Sequence, residues 1–226
     1  MIGFLQNGQP IMSKPLRRLL ILAGVAVVAA GVGILTAYIS RLNAPSQTGQ
    51  TLYLGAANPR GTAMPAFRLD TVNGPFGNAE LKNHWTFMFF GYTHCPDVCP
   101  LALGRLAVVL GDLEKAQRAK DVQVVFVSVD PQRDTPQKLG AYAHYFNPGF
   151  IGATADSEAI KQLTDQLGIY FKREPDPYDP ENYLIQHSAS ILVIAPNGRL
   201  AARLEPPNYP KLIESQLREI QKRYGM

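Results

Sequence analysis

The stretch WTFMFFGYTHCPDVCP, residues 85–100, runs from an apolar segment into a polar turn that carries both cysteines of the chain. Trp85–Phe90 is continuous in its hydrophobicity rather than alternating, which predicts a central strand buried on both faces. Beyond Gly91–His94, the segment from Pro96 to Lys120 places Val98, Leu101, Leu103, Leu106, Val109, Leu110 and Leu113 at helical spacing, so a helix is expected directly after the strand. Three residues separate Cys95 from Cys99, about one helical turn, and both thiols can then share a face at the helix N-terminus. Unpaired N–H groups and the positive end of the helix dipole stabilise thiolates there. Pro96, with no N–H to satisfy, suits an early helical position. Two soft thiolates suit Cu(I) or zinc, and in an oxidising compartment they equally suit a reversible disulfide. An inert staple fits poorly, because structural disulfides normally close longer loops.

Working outward, Val122–Val129 (VQVVFVSV) reads as a second buried strand, and Thr135–Tyr145 and Ser157–Gly168 read as helices begun by polar capping residues. Upstream, Ala66–Thr71, the Asn73-Gly74 turn and a return through Phe76 resemble a hairpin. Downstream, Ser188–Ala195, the turn Asn197-Gly198 and Arg199–Leu204 form a closing antiparallel hairpin before an amphipathic helix, Lys211–Arg223. A parallel pair flanked by antiparallel strands, with helices on both faces, is the outline of an α/β domain of thioredoxin-like type. Glu174–Asn182 (EPDPYDPEN) holds four acids and three prolines and is expected to be an exposed excursion able to guide a basic partner.

The length of 226 residues allows one domain with an anchor, not two full domains. Of the 22 Lys and Arg, four (Lys14, Arg17, Arg18 and Arg41) lie in the first 41 residues, which hold no acid; the remainder carries 18 bases against 18 acids. The net charge of +4 therefore belongs to the N-terminus, and no nucleic-acid surface is implied. Residues 19–39 (LLILAGVAVVAAGVGILTAYI) contain no charge and are long enough, as a helix, to cross a bilayer. The bases before this span place the N-terminus in the cytoplasm by the positive-inside rule. The expected organisation is a cytoplasmic segment over 1–18, an uncleaved transmembrane anchor over 19–39, a linker over 40–60 and a folded domain over 61–226. That domain would face the periplasm, or the intermembrane space of a mitochondrion, and both compartments permit thiol oxidation.

Gly91–Pro100, followed by Val129-Asp130-Pro131-Gln132-Arg133-Asp134-Thr135-Pro136 and later by His187, closely resembles the Sco/SenC family of membrane-anchored, copper-binding, thioredoxin-like proteins. The resemblance covers about residues 61–225. It implies one copper per chain, as Cu(I) or Cu(II), held by the counterparts of Cys95, Cys99 and His187. It also implies a role in maturing the dinuclear copper centre of cytochrome c oxidase subunit II, by delivering copper or by reducing that subunit's cysteines, with another copper chaperone as a potential donor. His187 stands just before the apolar segment Ser188–Ala195, where thioredoxin-like folds usually bring a cis-proline beside the cysteine motif; no proline occupies that point here.

Other candidates read as structural. His94 abuts Cys95 and could tune it, although adjacent side chains diverge; His84 and His144 suit surface or capping roles, and Met64 suits packing. Asp97 could cap the helix or meet a partner, and Asp130–Pro136 should form a rim loop near the site, with turn chemistry as its plainer explanation. A thiol-disulfide oxidoreductase, with Cys95 and Cys99 as the redox pair, is the second functional reading. The third is a peroxidase-like enzyme, disfavoured because no Arg lies within Tyr92–Pro100.

Overall fold

The computed structural model describes residues 61–175 and 182–225, together with six isolated helical positions between 24 and 36. Segments 1–18 and 40–60, most of the apolar span 19–39 and most of the acidic stretch 174–182 lie outside the described residues. Among the described residues no helix is long and apolar enough to cross a membrane.

The domain is built as β1 (Thr62–Ala63), β2 (Arg68–Thr71), β3 (Gly74–Gly77), β4 (Trp85–Gly91), α1 (Val98–Lys115), β5 (Val122–Ser128), α2 (Pro136–Phe146), β6 (Phe150–Thr154), α3 (Ser157–Leu167), β7 (Phe171–Glu174), β8 (Leu184–His187), β9 (Ile191–Ile194), β10 (Arg199–Leu204) and α4 (Pro210–Arg223). Eight strands form one sheet in the order β1-β10-β9-β4-β5-β6-β2-β3, and β7 and β8 pair separately. All seven residues of β4 are buried, as the apolar run requires, because β4 is hydrogen-bonded to β5 in parallel and to β9 in antiparallel fashion. This is the thioredoxin-like α/β arrangement expected from the sequence.

The parallel set has three strands rather than the expected pair, since β6 runs parallel beside β5. Its sequence FIGAT is short and interrupted by Gly152, so it lacks the long apolar run that marks β4 and β5. The glycine is there for packing: a Cβ at Gly152 would run into the main-chain carbonyl of Leu139 in α2. The β7–β8 hairpin was also not expected, and Phe171–Glu174 with one apolar residue in four shows why.

Helix α1 ends at Lys115, not at Lys120. Gln117 turns to φ 55°, and Arg118 N–H donates to Leu113 O at 2.8 Å, a left-handed C-terminal closure made without the glycine that usually announces it. Helix α2 starts as expected, with the Thr135 side chain accepting from Lys138 N–H. In α3 the cap is Asp156, one residue earlier than the expected Ser157, and Gly168 closes the helix at φ 64°.

Gly152→Ala should destabilise the domain by about 1–3 kcal/mol, the usual cost of forcing extra volume into a packed contact. Urea denaturation would measure this, and an unchanged midpoint would mean that α2 can move away from β6 freely.

Candidate metal centre

Strand β4 ends at Gly91, where a Cβ would fall on the sulfur of Cys99 and 2.9 Å from Cε2 of Phe126. Only glycine lets that sulfur rest against the strand end. The chain then folds back at Tyr92, whose carbonyl accepts from Cys95 N–H at 3.2 Å. Cys95 precedes a proline, which disfavours helical geometry for it. The helix accordingly begins at Val98, two residues later than the expected Pro96. Cys95 therefore lies in the approach loop and Cys99 in the first turn, where Pro100 lacks an N–H that would have no partner anyway. Asp97 occupies the N-cap position but its side chain makes no capping bond, so that expected role falls away.

Strand β8 brings His187 to the cysteines from 92 and 88 residues further along the chain. Its Nε2 lies 3.3 Å from Cys99 Sγ and 3.8 Å from Cys95 Sγ. The three candidate donor atoms all fall within 4.8 Å of one another. His187 ends β8, a strand of its own hairpin, and β9 begins only at Ile191, three residues into the apolar segment expected as a strand over Ser188–Ala195. In the neutral imidazole Nδ1 donates to the Ser188 carbonyl at 3.1 Å, which leaves the Nε2 lone pair facing the sulfurs. Phe89 and Tyr92 wall the ring edge-on, with centroids 6.0 and 5.9 Å away.

The cysteines are not equivalent. Cys99 is fully buried and Cys95 retains 8% exposure, and both are free thiols in this structure. The Cys99 thiol donates to Cys95, and this bond, opposed by burial and helped by the N–H groups of Asp97 and Cys99, holds the Cys95 pKa down at about 4. Cys99 moves in the opposite direction, first because it keeps the proton of that bond and then because it is buried. The pair therefore holds one proton, on the inner sulfur, and presents a thiolate at the outer one.

A buried carboxylate fixes the cysteine loop. Asp134, with no exposed surface, accepts Thr93 N–H at 2.9 Å, Thr93 Oγ1–H at 2.5 Å and Ser128 Oγ–H at 2.6 Å. Reading Asp130–Pro136 as turn chemistry missed this, because the burial of Asp134 comes from its tertiary partners. His94 points to solvent, 3.2 Å from Thr93 Oγ1; His84 is half-buried, His144 is exposed and Met64 packs in the core. Among the described residues, the metal-capable group of His, Cys, Asp and Glu side chains is Cys95, Cys99 and His187 alone. Two thiolates and one imidazole form a soft donor set, one short of the four that closed zinc sites use and well suited to Cu(I). The same two sulfurs lie within 4.8 Å of each other and are candidates for a reversible disulfide.

In the reduced, metal-free domain, iodoacetamide should modify Cys95 before Cys99. A lowered thiol pKa keeps the thiolate present as pH falls, so the reaction should persist to about pH 5, whereas in the unfolded chain it should fade below about pH 8.5. Mass spectrometry of the labelled peptides would follow this. Reactivity that collapses below pH 8 in the folded domain would mean that Cys95 keeps its proton.

A sequence model of the family described as SCO1/SenC matches residues 55–222. A SCO2-like protein of Rickettsia conorii is 34% identical over 153 residues, which cover 67% of this chain and 74% of that one. Among solved structures, Arabidopsis thaliana ScoI with copper bound superposes with a TM-score of 0.66 at 29% identity, covering 72% of this chain and all of that chain. Bradyrhizobium japonicum ScoI with copper bound gives a TM-score of 0.62 at 32% identity over 70% of this chain and 99% of that chain. With the matched region spanning the cysteine loop, the Asp130–Asp134 turn and His187, this chain belongs to the SCO1/SenC family.

Proposed function

We propose that this domain binds one copper ion through Cys95, Cys99 and His187 and serves as a metallochaperone in the assembly of cytochrome c oxidase. The observation that carries the reading is the convergence of two sulfurs and a lone-pair nitrogen within 4.8 Å, from segments about 90 residues apart. Similar chains solved with copper bound support it. The finer reading is delivery to the dinuclear centre of subunit II, with another copper chaperone as donor. Copper is cargo here. Cys99 and His187 hold it from the interior, and Cys95 offers the accessible side on which a partner's ligand can enter.

The low-lying Cys95 thiolate favours thiol-disulfide exchange as a second reading. Cys95 would attack a disulfide sulfur of the partner, expelling one thiolate and forming a mixed disulfide. Cys99, after losing its proton, would attack the Cys95 sulfur, leaving a Cys95–Cys99 disulfide and two reduced partner thiols. Both readings place the domain on the outer face of the inner membrane, with residues 19–39 as a single-pass anchor and residues 40–60 joining it to the domain at 61–226.

Reduced protein should hold one copper per chain by metal analysis, and Cys95→Ala combined with Cys99→Ala should abolish it. His187→Ala should weaken Cu(II) more than Cu(I), because two thiolates still hold Cu(I) in near-linear geometry; competition titrations in each oxidation state would show this. Equal losses would contradict the assigned ligand set. For the topology, protease added to intact spheroplasts should digest residues 61–226, and full protection of that region would reverse the assigned orientation.

A further inference from the structure

His187 is mounted on the two-stranded β7–β8 sheet, outside the main sheet. Its height above the cysteines depends on how that hairpin is fastened. Along β8 the inward side chains alternate: Tyr183 and Ile185 are buried and His187 is half-buried, while Leu184 and Gln186 are exposed. Below the hairpin lies a cavity of about 260 Å³, lined in part by Val129, Ile160, Phe171, Tyr183 and Ile185. Apolar packing on that side is therefore incomplete, and polar contacts do the fastening.

Those contacts converge on one loop. The Tyr183 hydroxyl donates to Asp130 Oδ1 at 2.6 Å, and Arg133 Nη1 donates to the Tyr183 carbonyl at 3.0 Å. Arg133 Nε is held by Asp130 Oδ2 at 2.6 Å, which sets the guanidinium 3.6 Å from the centre of the Tyr183 ring. Arg173 of β7 lies 3.5 Å from the same ring centre. Two residues nearer to His187, the Ile185 N–H donates to the Tyr92 hydroxyl at 3.1 Å. At its other end the Asp130–Asp134 loop grips Thr93 of the cysteine segment through Asp134.

We propose that the Asp130–Asp134 loop is a bracket that sets the spacing between His187 and the two cysteines, with Tyr183, held between Arg133 and Arg173, as the positioning residue for His187. Asp134 fixes the cysteine side and Asp130 with Arg133 fixes the histidine side, so one rigid turn references both halves of the site. Tyr183 touches no donor atom of the site; it acts through the strand that carries His187. Neighbours that orient a metal ligand commonly contribute about 10–100-fold in affinity, and this clamp belongs on that scale.

The inference rests on the copper ligand set proposed above, and a double-mutant cycle separates the two. Tyr183→Ala should lower Cu(II) affinity about tenfold and shift the sulfur-to-copper charge-transfer band in full-length protein, while Cu(I) affinity changes less. In a His187→Ala background, Tyr183→Ala should have no further effect on Cu(II). Tyr183→Phe keeps the ring between the guanidiniums and removes only the hydroxyl, so it should give a smaller loss of the same kind in a protein that folds. Without metal, amide hydrogen exchange should rise at Ile185 and His187 in both Tyr183 variants and stay unchanged in β4 and β5. If His187→Ala itself leaves Cu(II) binding unaltered, the ligand assignment fails, and the exchange data alone then decide on the bracket. If His187 matters but the Tyr183 effect is the same with and without it, or hydrogen exchange in the hairpin does not change, the bracket is overturned.

Discussion

A carboxylate sealed from solvent has to be fully hydrogen-bonded, since each buried polar group left without a partner costs about 1–3 kcal/mol and a charged one more. Asp134 meets that demand with three donors, two from Thr93 and one from Ser128. Its requirement is what orders the rest. Ser128 closes β5, Thr93 lies between β4 and Cys95, and satisfying one carboxylate joins the ends of two parallel strands to the cysteine loop. The Ser128 hydroxyl oxygen also accepts the Asp130 N–H at 3.0 Å, which carries the same order into the turn that meets the hairpin.

The cysteine motif and the α/β alternation were legible because each has a short-range signal. Trp85–Phe90 could only be a buried strand, and Cys95 and Cys99 announced themselves by their number and spacing. His187 was legible through the family resemblance and through its place just before the apolar segment Ser188–Ala195, although nothing in its immediate neighbours distinguishes a ligand from an ordinary strand-end histidine. Strand β6 was hidden by Gly152, whose purpose is contact with α2 rather than strand formation. The end of α1 was hidden for the opposite reason, since Gln117 adopts a backbone conformation that usually calls for glycine. Asp134 was legible as an acid but not as a buried one, because burial is a property of the tertiary partners Thr93 and Ser128 and leaves no trace in the spacing of DPQRDTP.

The site reconciles metal binding with thiol chemistry by making its two sulfurs different. An inner cysteine that keeps a proton and an outer one that carries the charge form an asymmetric pair, and the asymmetry comes from depth: Gly91 admits the Cys99 sulfur to the strand end, while Pro96 holds Cys95 in the loop. A metal that binds both sulfurs displaces the remaining proton. A partner that approaches from solvent meets the charged sulfur first, whether it brings an ion or a disulfide.

The three donor residues are also far apart along the chain, with about 90 residues between the cysteines and the histidine. Closing a loop of that length is entropically costly and is repaid only when the strands between have paired. A chain that has not yet folded can present two thiols and nothing more. The third donor arrives only after β5, β6 and the β7–β8 hairpin are in place, so a complete set of three donors marks that much of the domain as folded. Any ion held by all three ligands in turn locks that folded state, by an amount that grows with the logarithm of the ratio of free metal to its dissociation constant.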